Sequence, residues 1–520
     1  MEGAVHFETD PGRYRHWRLD VDGAVATLTL AVDPAGGLGD GYDLKLNSYD
    51  LGVDIELHDA LQRLRFEQPA VKVVVITSAL DKVFSAGANI QMLATASHQH
   101  KVGFCKFTNE TRNGIEQMSA EGGQVVLAAL NGTAAGGGYE LALACDEILL
   151  VDDRASAVSL PEVPLLAVLP GTGGLTRLVD KRHVRRDIAD VFATRSEGAK
   201  GRQALEWGLV DAIAPPSSFD ALVRARATAR AASSDRPDRG DGVALGPLEH
   251  RFVDVEIDEQ LSAAHVTVRA FGSWRESLEA CRELDDAVLG LRFNRPAVGT
   301  WVLHTAGDRD AVLAADEEIA ADGWLPREIR LFWTRTLKRL DVSARSLVTL
   351  VEPGSCFAGT LAELVLAADR SLLLDDGATA VVLSAANDGR YPMGNGLSRL
   401  ATRFWGREDE LAAARAALGR ALAAPAAAAL GLVTLTPDDL DWEDEVRLLL
   451  EERAGFSPDA LTGLEANLRF PGPETMETKI FARLTAWQNW IFQRPNAAGA
   501  EGALRRYGTG QRPSFDRVRT

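Results

Sequence analysis

The chain has 520 residues, 46% hydrophobic and 25% charged, with 56 basic against 74 acidic side chains and a formal net charge of −18. That length exceeds what one hydrophobic core serves, so two or three domains are expected, and the composition is that of an ordinary soluble protein. The acidic balance argues against general nucleic-acid binding, which needs a basic face. It leaves room for a local lysine or arginine pocket that takes an anionic ligand.

Cys105, Cys145, Cys281 and Cys356 are widely spaced, with no CxxC and no Cys/His cluster. Neither a disulfide framework nor a zinc or other metal site is expected, and a cytoplasmic, reducing location is. The opening MEGAVHFETDPGRYRHW has no basic segment followed by an apolar stretch, so no secretory leader is expected. No apolar run approaches the roughly 18 residues of a membrane span.

From about Trp17 to Ala214, short apolar runs alternate with helical patterns. The spacing predicts strands over Val25–Val32, Val71–Ser78, Gln124–Leu130 and Asp146–Asp153. Helices are expected at Asp54–Phe66, across KVGFCKFTNETRNGIEQM, which contains Cys105, and at Gly138–Cys145. This alternation reads as α/β built from βαβ units. His98 and His100 in ASHQHK have no companions to complete a metal site and read as a solvated turn. Cys145 reads as core.

Two glycine-bracketed stretches, FSAGAN (Phe84–Asn89) and NGTAAGGGYELALACDE (Asn131–Glu147), each follow an apolar strand candidate. Small residues at such turns leave backbone N–H groups open to a ligand. Two such turns facing each other hold a negatively charged oxygen between two donors. A third stretch, SLPEVPLLAVLPGTGGLTRL (Ser159–Leu178), places Glu162 in apolar text ahead of a Pro/Gly-rich loop. Such surroundings raise a carboxylate's pKa toward neutrality, where it trades protons readily.

In order and spacing, these three stretches resemble the crotonase (enoyl-CoA hydratase/isomerase) superfamily. The resemblance implies an acyl-CoA substrate whose thioester oxygen is held by the N–H groups of Ala88 and Gly137. It puts the two acid/base carboxylates on Glu140 and Glu162, and Cys105 on a wall of the acyl pocket as a third catalytic candidate. Lys45, Lys82 and Ala86 flank the family's CoA-contacting regions. The family's usual Asp after the first hole residue is Asn89 here, and Asn caps a helix equally well.

After Pro215–Glu249, a helix running into an Asp/Arg/Gly/Pro stretch, the pattern restarts. Glu363 follows Glu140 by 223 residues, Asp369 follows Asp146 by the same interval, and PMGNGLSRL (Pro392–Leu400) echoes PGTGGLTRL (Pro170–Leu178). The three glycines become Gly359-Thr360-Leu361, and the Glu162 equivalent falls near Ala385, so this second unit is expected to have lost its chemistry. The expected layout is a catalytic crotonase-like ββα-spiral domain over 1–222, a linker over 223–259, a degenerate crotonase-like domain over 260–440, and a helical C-terminal region over 441–520. Trp487, Trp490 and Phe492 in that last region are expected to pack against another domain or subunit.

The fused second unit, the tail TAWQNWIFQRPNAAGAEGALRRYGTGQRP and Cys105 in the pocket wall together resemble the ring-opening lyases of aromatic acyl-CoA catabolism within the superfamily. That resemblance implies no cofactor beyond the CoA of its substrate; crotonases commonly assemble as trimers or hexamers, but the fused second unit can replace one subunit contact, so a homodimer is expected. A plain enoyl-CoA hydratase or isomerase would use the same hole and glutamates, and a non-catalytic acyl-CoA-binding scaffold would need only the hole.

Overall fold

The β-branched apolar runs of the N-terminal half become strands buried on both faces. A computed structural model describes residues 3–520, which divide into two units, Met1–Pro247 and Leu248–Thr520. The first opens with β1 (Trp17–Asp22), β2 (Val25–Leu30), β3 (Ser48–Tyr49), α1 (Leu51–Phe66), β4 (Val73–Ser78), β5 (Lys82–Ser85), β6 (Gly87–Ala88), α2 (Ile90–Thr95) and α3 (His98–Ala120). It continues through β7 (Val125–Leu130), β8 (Gly132–Ala135), α4 (Gly137–Ala144), β9 (Glu147–Val151), β10 (Ala157–Ser159) and α5 (Glu162–Leu166). It closes with α6 (Gly174–Thr176), α7 (Arg186–Ala193), β11 (Ala199–Lys200), α8 (Gly201–Glu206), β12 (Ala212–Ala214) and α9 (Pro216–Ala231).

A six-stranded sheet runs β1-β2-β4-β7-β9-β12, antiparallel at β1/β2 and parallel from β2 onward. Alternate residues face opposite sides. Val73, Val75, Leu127, Ala129 and Leu149 meet Phe219 and Ala227 of α9. Val74, Ile76, Val126, Ala128 and Leu150 join the main core with α1 and α4. A second sheet, β11-β10-β8-β5, carries the strand ends that lead into the glycine turns.

The second unit repeats the scheme. It contains β13 (Val253–Asp258), β14 (Ala263–Arg269), α10 (Trp274–Asn294), β15 (Thr300–Ala306), α11 (Arg309–Ala320), α12 (Trp324–Asp341), β16 (Ser346–Val351), α13 (Gly359–Ala367) and β17 (Arg370–Leu373). Its sheet, β13-β14-β15-β16-β17, again begins with an antiparallel pair and continues parallel. Then follow β18 (Ala380–Val382), α14 (Arg399–Arg403), α15 (Glu408–Ala416), β19 (Ala421–Ala423), α16 (Ala424–Ala429), α17 (Trp442–Gly455), α18 (Pro458–Leu468), α19 (Met476–Lys479) and α20 (Thr485–Phe492). Leu449 and Leu450 of α17 cover Val302, Val348 and Leu350 on the sheet. Trp487 and Trp490 of α20 meet edge to face at 5.5 Å, and α20 packs on α18 of the same unit.

Among the described residues no helix is long and apolar enough to cross a membrane, and all four cysteines are free. One local expectation is corrected. His98 and His100 lie in the first turn of α3 rather than in a solvated turn, because Ser97 caps that helix by accepting the His100 N–H. His100 is buried, and burial lowers its pKa.

Candidate active site

FSAGAN becomes the end of β5, the two-residue strand β6 and the cap of α2, where Asn89 Oδ1 accepts the Met92 N–H at 2.9 Å. Gly87 N–H bonds Ser85 Oγ and Asn89 N–H bonds the Tyr49 carbonyl. Strand alternation therefore turns the Ala88 N–H to the opposite side. Gly137 is the first residue of α4, so its N–H has no intrahelical acceptor and sits at the positive end of the helix dipole. The two turns press together: a Cβ on Gly87, whose φ is +81°, would stand 2.7 Å from Gly137 N. The Ala88 and Gly137 amides thus lie on turns in close contact, the placement that a proposed oxyanion pair needs.

Glu140, in the first turn of α4, is 2% exposed. Its Oε1 accepts the Thr172 N–H at 3.0 Å and the Gly174 N–H at 2.8 Å, and its Oε2 accepts the Thr172 hydroxyl at 2.5 Å. The carboxylate thus anchors the Pro/Gly-rich loop that follows Glu162. Its tie to Thr172 and Gly174 was not read from the sequence, although PGTGG places a hydroxyl and free amides together.

Glu162 begins α5. Its Oε2 is buried with no hydrogen-bond partner, and its Oε1 lies 2.6 Å from where a Cβ on Gly136 would stand. Gly136, at φ +52°, is the residue before the Gly137 donor. Burial, reinforced by the nearby Glu140 charge, pushes the Glu162 carboxyl up to about 7. The following side chains Leu165, Val168 and Leu169 are exposed, Leu165 by 64%.

Cys105 of α3 meets the same loop, since a Cβ on Gly171 would stand 3.4 Å from its Sγ. Burial, with the Glu140 charge added, raises the thiol's pKa. Seven residues on, along the same helix face, lies Arg112, which sequence reasoning passed over. Its buried guanidinium donates to the Gly137 carbonyl at 3.1 Å and to the Thr108 carbonyl at 3.0 Å, and stands 3.5 Å from buried Asp54. The i, i+7 spacing from Cys105 was the available signal.

The CoA candidates are less closely gathered. Ala86 is exposed beside the hole and donates its N–H to Leu46 at 3.0 Å, next to Lys45. Lys45 is exposed and reaches Asp43 at 3.3 Å. Lys82 starts β5 opposite Gly132, at the far end of that strand from the turn. Cys145 is buried in the core. Among the described residues no group of three His, Cys, Asp or Glu is placed to hold a metal.

In the second unit, Thr360 stands 223 residues after Gly137, and its N–H is taken by Asp316 Oδ2 at 2.8 Å. The Thr360 hydroxyl also bonds Asp316. Glu363 is enclosed by Arg399 at 3.1 Å and Asn387 at 2.8 Å. What occupies the Thr360 donor is a carboxylate from α11.

A family model described as enoyl-CoA hydratase/isomerase matches residues 44–236. The benzoyl-CoA-dihydrodiol lyase of Aromatoleum evansii is 56% identical over 539 residues, spanning 98% of this chain and 97% of that protein. Among solved structures, an enoyl-CoA hydratase of Geobacillus kaustophilus HTA426 is 34% identical with a TM-score of 0.37, covering 42% of this chain and 75% of its own. An enoyl-CoA hydratase of Bacillus anthracis is 28% identical with a TM-score of 0.36, covering 42% and 76%. Given that identity along nearly all of both chains, the protein belongs to the benzoyl-CoA-dihydrodiol lyase family of the enoyl-CoA hydratase/isomerase (crotonase) superfamily.

Proposed function

We propose that this chain opens the ring of 2,3-epoxybenzoyl-CoA, in exchange with its oxepin form. Two waters are consumed, C2–C3 is cleaved, C2 leaves as formate, and 3,4-dehydroadipyl-CoA semialdehyde remains. Kinship along almost the entire chain with a benzoyl-CoA-dihydrodiol lyase supports this substrate class. The observation that carries the chemistry is the Glu162 carboxylate, uncommitted and titrating near 7, set against the Gly136–Gly137 turn.

The thioester carbonyl serves as electron sink. As water adds to the conjugated ring, negative charge grows on that oxygen, and the Ala88 and Gly137 N–H groups hold it more tightly than in the ground state. Glu162 takes the proton of the attacking water and returns it to the ring carbon or leaving oxygen. Glu140, anchored by Thr172 and Gly174, fixes the loop and acts with Glu162 on the second water. Cys105, held as a neutral thiol by burial, lines the wall as a proton donor. Lys45, Lys82 and Ala86 are the proposed CoA contacts, Ala86 and Lys45 beside the turn and Lys82 at the far end of its strand. Acyl group plus two waters account for every atom of product and formate, so the step is redox-neutral and calls for no cofactor beyond CoA.

Residues 1–222 are the proposed catalytic domain, with 260–440 a degenerate crotonase-like domain and 441–520 a helical region. A cytoplasmic homodimer is proposed from the free cysteines and from the exposed apolar side chains after Glu162, which a second copy would cover. Light scattering checks the dimer. The deciding assay supplies purified protein with 2,3-epoxybenzoyl-CoA and, in parallel, crotonyl-CoA. Formate released in step with ring-opened CoA product is expected. Hydration of crotonyl-CoA without formate from the epoxide would favour a plain hydratase, and binding without turnover of either would favour a scaffold.

A further inference from the structure

The two units match their aligned loop cations differently. Arg177 and Lys181 of the first unit share a single carboxylate, Glu116, at 2.8 and 3.0 Å. In the second unit the aligned loops put Arg399 and Arg403 at the same places, each 222 residues on. Arg399 is satisfied twice, by Asp341 at 2.7 Å and Glu363 at 3.1 Å. Arg403 has no carboxylate partner among the described residues: its Nε donates to the Gly431 carbonyl at 2.8 Å, and no ion pair joins it. Burial alone acts on its guanidinium, lowering its pKa. A half-buried cation without a counter-ion is costly, and proteins keep such groups where an anion arrives.

Arg403 opens onto a cavity of about 420 Å³ whose other walls include Trp405, Met393, Leu464, Leu468 and Pro471. That volume falls within the roughly 300–1,000 Å³ of small-molecule sites. Trp405 is 49% exposed and Leu468 67% exposed, so apolar surface stands open beside the unpaired charge. Of the other arginines of the cavity, Arg469 is matched by Asp369, at 2.5 Å, while Arg453 stands 3.7 Å from Glu465, which Arg519 also holds, at 2.5 Å.

We propose that this cavity in the second unit is a binding site for a small organic monoanion, a carboxylate on an apolar or aromatic body. The carboxylate pairs end-on with the two Nη groups of Arg403, whose Nε is held by the Gly431 carbonyl, and the body lies on Trp405 and Leu468. Asp341, Asp369 and Glu465 also line the cavity, so a single negative charge on the ligand is favoured over two. A phosphate dianion meets the fields of Asp369 and Glu465.

Calorimetric titration of the full chain tests this with phenylacetate, hexanoate, the neutral phenylacetamide and inorganic phosphate as probes. Both carboxylates are expected to bind and phenylacetamide is not. Arg403→Gln should weaken phenylacetate by about tenfold or more, the effect of losing a charged hydrogen bond. Arg403→Lys, which keeps the charge and loses the planar fork, should recover only part of the affinity lost in Arg403→Gln. Trp405→Ala, at an exposed position that folding tolerates, should weaken phenylacetate more than hexanoate. Formate release from the epoxide should be unchanged in both Arg403→Gln and Trp405→Ala. The proposal is overturned if phenylacetate binds both variants as tightly as the parent chain, or if no carboxylate binds more tightly than about 1 mM. Preferential binding of phosphate would overturn the carboxylate assignment.

Discussion

Glu162 Oε1 occupies the space that a side chain on Gly136 would need, 2.6 Å from the position of its Cβ. The proposed acid/base carboxylate and the proposed oxyanion donors therefore share a wall that only glycine permits. Gly136→Ala would displace Glu162 and also strain a backbone at φ +52°. Turnover should fall by about 10²-fold or more, the scale of losing one oxyanion donor. Formate-release kinetics beside a melting curve separate this from unfolding, and near-parental turnover would mean the shared wall is unimportant.

Glu162→Gln keeps the size of the side chain and removes its proton chemistry. General acid–base groups contribute about 10²–10⁴-fold, so kcat should drop by that factor while affinity for a non-reacting acyl-CoA stays within a few-fold. Retained turnover would take Glu162 out of the mechanism.

The pH dependence follows from the same group. Folding raises the Glu162 pKa from 4.5 to about 7, so the folded state favours the protonated form. The stability this supplies is complete below about 4.5 and is lost as pH rises toward about 7. Urea unfolding should show the parent chain losing stability relative to Glu162→Gln across that interval, with a constant difference above it. Glu140→Gln, which removes the nearby charge, should move the upper end of the interval downward. A difference that is flat with pH would contradict the raised pKa.

Cys105 is the one half-buried thiol; the other three cysteines are buried. Its raised pKa predicts slow alkylation by iodoacetamide near neutrality, because the thiolate is the reactive form. Mass spectrometry should find Cys105 labelled ahead of Cys145, whose thiol burial pushes up to about 12. An acyl-CoA ligand should protect Cys105, and unprotected labelling at saturating ligand would place it outside the pocket.

Asp316 and Thr360 offer a test of the silent second unit. Asp316→Ala leaves the buried Thr360 N–H without its acceptor, while the Thr360 hydroxyl keeps only Tyr391 Oη, at 2.7 Å, a loss of about 1–3 kcal/mol. The variant's melting temperature should fall by several degrees and recover in part with added formate or acetate, which fit the vacated carboxylate position. Formate release from the epoxide should be unaffected. Equal melting temperatures with and without Asp316 would show that the donor needs no cap.

Local spacing was enough to find, within one or two residues at each end, the strands Val73–Ser78 and Val125–Leu130 and the helix Gly137–Ala144, and it found the Asn89 cap. Each depends on residues within a few positions of one another. Glycine-rich turns also announced open backbone near Phe84–Asn89 and Asn131–Glu147, and the family resemblance proposed Ala88 and Gly137 within them. Assembly alone decided what each carboxylate does. Glu140 and Glu162 look alike as residues, yet one is tied to Thr172 and Gly174 while the other keeps a buried, unpartnered oxygen. The cap of Asp316 on Thr360 spans 44 residues, and Arg112 reaches Gly137 across 25. Such pairings are set by how helices pack on a sheet, and hydrogen bonding and desolvation act through that space rather than along the sequence.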